Sequence, residues 1–221
     1  MTSTHSLQGA VLMRGGAIDQ FWEWFLASRR RLETTLVSGS ARDLSEIVGP
    51  QIRLLSEDIG WEIGPSGESG YGLAFTLNGN LENLALIGEI LRAAPRETGW
   101  RFSAGRPRRD VSGGFVFHNK RGQRLDVDVS EWRYTLTAFD GGAFFDVHIA
   151  TGLPLQADER GIQQILSTAV QMMLGEAEML RVIDRVEYIV DPDAEWDSRA
   201  SPFSSLADHI DSLRASPGER E

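Results

Sequence analysis

The sequence predicts an α+β fold, a single domain whose largely antiparallel sheet carries helices on one face. Three observations predict it. Apolar residues recur at helical spacing near both ends of the chain, alternate with period two from Phe115 to Ile149, and are divided by Gly-rich turn signals. The 221 residues are enough for one large core without covalent staples.

Ile18, Phe21, Trp22, Phe25, Leu32 and Leu36 share one helical face, which predicts a helix over 19–37 that ends at Ser38-Gly39-Ser40. Leu44, Ile47, Val48, Leu55 and Ile59 predict a second, with Gly49-Pro50 restarting or kinking it. Trp61-Glu62-Ile63 alternates as a strand, residues 65–70 form a turn, and Tyr71 to Leu77 returns as the second arm of a hairpin. Asn80 caps a third helix bearing Leu81, Leu84, Ile87 and Leu91, and Pro95 stops it. Trp100 to Ala104 reads as another strand.

The rows Phe115/Phe117, Leu125/Val127/Val129, Trp132/Tyr134/Leu136 and Phe145/Val147/Ile149 then predict an antiparallel meander with one wet face. A fourth helix over 156–174, a strand over 182–190 and a terminal helix over 203–213, capped by Ser204 or Ser205, complete the chain. The domain is expected to span 17–215. Residues 1–16 and 216–221 are expected to be flexible, and Met13 offers an alternative start.

The absence of cysteine excludes disulfides, thiolate metal sites and a cysteine nucleophile. No apolar run approaches the ~20 residues of a membrane span. The first residues carry no basic segment followed by an apolar core, so a cytoplasmic location is expected, with no membrane partner. The net charge of -10 opposes nucleic-acid binding on average. One segment departs from that average: between Trp100 and Leu125, Arg101, Arg106, Arg108, Arg109, Lys120, Arg121 and Arg124 face Asp110 alone.

That basic segment is the first candidate site. Arg106, Arg108, Arg109, Lys120, Arg121 and Arg124 suit an anion or phosphate, with Phe115, Phe117 and His118 nearby to stack on bases. The plain alternative is a solvated loop whose arginines pair with acids of the same chain. Asp126 and Asp128, then Asp146 and His148, form the second candidate, because i, i+2 spacing puts each pair on one strand face. Converging strands would make them divalent-cation ligands, whereas an exposed sheet face explains them without a metal. Trp24, off the apolar stripe of the first helix, is either an interface anchor or a packed aromatic. No nucleophile elbow or phosphate-cradling loop is present, and no catalytic residue, cofactor or metal is assigned.

Phe21-Trp22-x-Trp24-Phe25, Trp61-Glu62-Ile63-Gly64, Ala93-Ala94-Pro95 and Trp100-x-Phe102-x-Ala104-x-Arg106-Pro107 give the chain a pattern. It resembles a family of uncharacterised bacterial cytoplasmic α+β proteins. The resemblance covers most of residues 19–215 in layout and implies the α+β fold; it brings no activity with it. The expected function is a non-enzymatic binding or regulatory protein for another macromolecule, of the immunity or inhibitor kind, with another protein as partner. The alternatives are a nucleic-acid or anion binder acting through 101–124 and a metal-dependent hydrolase.

Overall fold

A computed structural model describes residues 3–67, 70–119, 122–151 and 157–215, with side chains described from residue 15 onward. The protein is α+β, with mostly antiparallel sheets. Its contacts group the chain into two compact units, Met1–Arg106 and Pro107–Glu221.

The first unit opens with α1 (Ser3–Ser38) and α2 (Ala41–Leu55). The first helix is longer than its apolar stripe predicts: it begins at Ser3, and residues 3–16, expected to be flexible, are helical. Its stripe is nonetheless the buried face, with Ile18, Phe21, Trp22, Phe25 and Leu32 all removed from water. The Ser40 side chain caps α2 by accepting from the Asp43 N–H at 3.3 Å. Pro50 lies inside that helix without interrupting it.

Strands β1 (Gly60–Pro65) and β2 (Tyr71–Thr76) make the expected antiparallel hairpin, from Gly60↔Thr76 to Pro65↔Tyr71. After α3 (Asn83–Arg92), β3 (Trp100–Ala104) returns parallel to β2, starting at Tyr71↔Trp100. A crossover helix is what parallel neighbours require. The core is aromatic: Trp22 meets Phe102 edge-on at 4.7 Å, and Phe25 meets Trp100 at 4.9 Å. The buried Trp22 Nε1 donates to the Ile90 carbonyl at 2.9 Å, which ties α1 to α3.

The second unit begins with the hairpin β4 (Phe115–His118) and β5 (Arg124–Val127), then β6 (Arg133–Phe139) and β7 (Phe144–Ala150). Here the sequence reading needs correction. Instead of one meander, β4 and β5 form a two-stranded sheet of their own, and β6 and β7 join β8 (Ile183–Tyr188) and β9 (Ser201–Pro202) in a second sheet ordered β8-β7-β6-β9. Alternation sets which side of a strand is apolar; it carries no information on which strands pair.

Helix α4 (Glu159–Leu174) stops at Gly175, whose φ of 79° is closed to most side chains, and α5 (Glu176–Val182) follows directly. Strand β8 (Ile183–Tyr188) then runs parallel to β7 at the sheet edge. The Gln163 side chain donates to the Val186 carbonyl on that edge at 2.8 Å. A short α6 (Ala194–Arg199), β9 (Ser201–Pro202), a 3-10 turn (Phe203–Ser205) and α7 (Leu206–Ala215) complete the unit. The core face of the sheet presents Tyr134, Phe145, Val147, Ile149 and Val186 to a cluster that includes Ile165, Leu166, Ala169 and Val170 of α4. Among the described residues no helix is long and apolar enough to cross a membrane.

Candidate functional site

Three arginine side chains of the basic segment are paired within their own units. In the first unit, Arg106 Nε donates to Glu62 at 3.1 Å. In the second, Arg108 holds Asp211 through two bonds of 2.6 and 2.8 Å and also donates to the Leu174 carbonyl. The Arg108 guanidinium keeps the Asp211 carboxyl below its usual range. Arg124 folds back onto Asp126 at 2.7 Å, and the Arg109 backbone N–H donates to the Met172 carbonyl at 2.7 Å. Lys120 and Arg121 lie outside the described residues. The segment therefore matches the plain reading of arginines paired with acids of the same chain, at Arg106, Arg108 and Arg124.

Trp24 is half-buried, its ring 5.5 Å from that of Phe21. It borders a shallow depression with Arg31, Asp43, Glu46, Ile47 and Pro50. It is neither a bare anchor nor a core side chain.

The four acidic-face residues separate. Asp126 and Asp128 lie exposed on and just after β5, and the Ser130 N–H holds the Asp128 carboxyl below its usual range. Asp146 and His148 belong to β7, in the other sheet. Among the described residues, no group of three or more His, Asp or Glu side chains is placed to hold a metal ion.

Asp146 and His148 were expected on a wet sheet face, and here the structure differs. They do lie opposite the apolar row Phe145, Val147 and Ile149, but Asp146 is only 9% exposed and His148 is half-buried. Strand pairing assembles their surroundings. Thr137 faces Asp146 and Thr135 faces His148 across β6; Arg185 and Glu187 face the same two residues across β8. A register shift between Phe145 and Asp146 skips Asp184 and so brings Arg185 opposite Asp146.

The hydrogen bonds on this face run in series. The Thr137 hydroxyl and His148 Nε2 are 3.1 Å apart, and His148 Nδ1 lies 3.1 Å from Glu187. Arg185 donates to the other Glu187 oxygen at 3.1 Å. That bond, followed by smaller contributions from His148, holds the Glu187 carboxyl below its usual range. Asp146 stands apart: its Oδ1 is buried, with no hydrogen-bond partner among the described residues. Buried polar atoms are nearly always paired, so this one marks an unfinished contact.

Hydroxyl, imidazole and carboxylate in series are the parts of a nucleophilic relay. A sheet face is a poor setting for one. Backbone N–H groups lie in the sheet plane, so they form no oxyanion pocket above Thr137. The same face carries an aromatic feature instead. Phe139 and Phe144 are register partners at the end of the β6-β7 hairpin, 43% and 45% exposed. Asp140, Gly141 and Gly142, all at positive φ, turn the chain between them.

Phe139, Phe144, Thr137, Arg185 and Glu187 are not among the residues that sequence pattern singles out. A signal existed for the two phenylalanines: both fall on the polar parity of their strands, on either side of Asp140-Gly141-Gly142. Arg185 and Glu187 carried none, because only the parallel pairing of β8 with β7 brings them there. Comparison with protein-family models, curated proteins and solved structures finds no match to this chain.

Proposed function

We propose that the protein is a non-enzymatic cytoplasmic binding module. It recognises a basic protein partner through the outer face of the β8-β7-β6-β9 sheet. One observation carries this reading: an exposed aromatic pair, Phe139 and Phe144, stands beside a buried carboxylate oxygen that lacks a hydrogen bond. A few hot-spot residues near the centre of an interface carry most of its binding energy, on the order of 2 kcal/mol or more each, and phenylalanine is among the residues enriched there. The net charge of -10 and the exposed Asp126 and Asp128 favour a basic partner. Small acidic α+β proteins that neutralise a basic enzyme offer an analogy at the level of fold alone. The nucleic-acid reading is weakened by the pairing of Arg106, Arg108 and Arg124 with carboxylates.

The test is affinity capture at low salt with the full chain and with a Phe139→Ala/Phe144→Ala double variant. A basic protein retained by the native chain and lost from the folded variant is the expected result. Retention by both, or co-purifying nucleic acid released by salt, would overturn the proposal.

A further inference from the structure

We infer that Asp146 is the seat for one arginine side chain of the partner, whose guanidinium would complete the open contact at Oδ1. The inference rests on the binding function proposed above and names the chemistry that the outer face reads.

Four features of the second unit point to it. Asp146 is nine-tenths buried, and its Oδ1 makes no hydrogen bond. A buried carboxylate oxygen accepts a charge-assisted hydrogen bond more strongly than an exposed one, because little water competes for it. Phe144 lies two residues away on the same side of β7, and Phe139 pairs with it across the hairpin. Aromatic faces attract a cation and stack with a planar guanidinium, which favours arginine over the compact ammonium of lysine. Thr137, the cross-strand neighbour of Asp146, is exposed and leaves the approach polar on that side.

The charges on this face also favour a monocation. Asp146 and Glu187 are opposed by Arg185, and the skipped Asp184 adds its field to that of Asp146 on Arg185. Arg185 is the internal competitor. It stands opposite Asp146 in the register, yet its hydrogen bond goes to Glu187, and its side chain is 63% exposed. Such a side chain can turn aside at small cost, so Arg185 competes for the carboxylate without barring an incoming guanidinium.

The experiment uses the 15N-labelled full chain titrated with a short, otherwise uncharged peptide bearing one arginine, and with its lysine and citrulline counterparts. The arginine peptide should give saturable shifts centred on the amides of residues 144–148 and 185. Asp146→Asn should weaken its binding roughly tenfold or more, the scale of one charge-assisted hydrogen bond. Arg185→Gln, which removes the competitor and leaves the carboxylate, should tighten binding by a factor of a few. That second variant keeps the inference falsifiable even where Asp146→Asn does not fold. Equal binding of citrulline, a lysine peptide binding more tightly, or an Arg185→Gln protein that binds no better would overturn the seat.

The two proposals fail separately. Loss of the seat while partner capture still depends on Phe139 and Phe144 removes this inference alone. A seat that binds arginine in a protein that captures no basic partner removes the function alone.

Discussion

Tyr134 shows how much one side chain can couple packing to proton chemistry. Its ring is 1% exposed in the second core, and its hydroxyl lies 2.9 Å from His209 Nδ1 and 3.3 Å from the Ser205 hydroxyl. Burial, more than any neighbouring charge, pushes the phenol above its usual value of 10.0. A raised folded value means that the neutral form is the one the fold stabilises. That contribution is complete below pH 10 and is lost as pH rises through the elevated value. Alkaline unfolding of the native chain should therefore show a limb that Tyr134→Phe lacks, at a cost at neutral pH of about 1 kcal/mol for the lost hydrogen bonds. Urea titrations at pH 8 and above pH 10 measure both; identical pH slopes in the two proteins would refute the assignment. At this scale much was legible. Phe21, Trp22 and Phe25 were placed in the core from spacing alone. The period-two pattern puts Asp146 on the correct side of its strand but does not foretell its burial, because one of the strands flanking it, β8, comes from distant sequence.

The helices and hairpins were more readable than their partnerships. Each helix of the apolar pattern exists, since a period near 3.6 needs only local sequence. The small α6 lacked a long stripe and was missed, although Asp193 caps it by accepting from the Trp196 N–H at 2.7 Å. The separation of β4-β5 from β6-β7, and the parallel return of β3 and β8, depend on contacts between residues far apart in the chain. Gly114 sets the start of the β4-β5 hairpin. Its φ is 80°, and a Cβ there would lie 2.4 Å from the Val127 carbonyl oxygen. Gly114→Ala thus combines a left-handed backbone with a backbone collision, and neither is relieved by turning a side chain. The expected loss is at least about 1 kcal/mol, with early hydrogen exchange across β4 and β5. A thermal midpoint equal to that of the native chain would show that the turn relaxes.

Over the whole chain, charge rather than shape would govern the first encounter with the proposed partner. A protein of net charge -10 attracts a basic target beyond contact distance, and at ~0.15 M salt that reach shrinks to about 8 Å. The association rate with the captured partner should fall by about tenfold or more between low and high salt, while dissociation changes little. An association rate indifferent to salt would remove steering from the account. Composition made this prediction accessible before any coordinates. The proposed partner face was not accessible, since the residues argued for it come from β6, β7 and β8, which lie apart in the sequence.

The edges of the second sheet carry one more consequence. On one side β9 has only two residues. On the other, the register shift beside β8, the Gln163 amide on the Val186 carbonyl and the charged Asp184, Arg185 and Glu187 interrupt the row of open backbone groups. Such devices deny an incoming strand a continuous template. This sheet is thereby guarded against growing into a fibre, so its exposed aromatic pair is not joined to a rim that recruits copies of the chain.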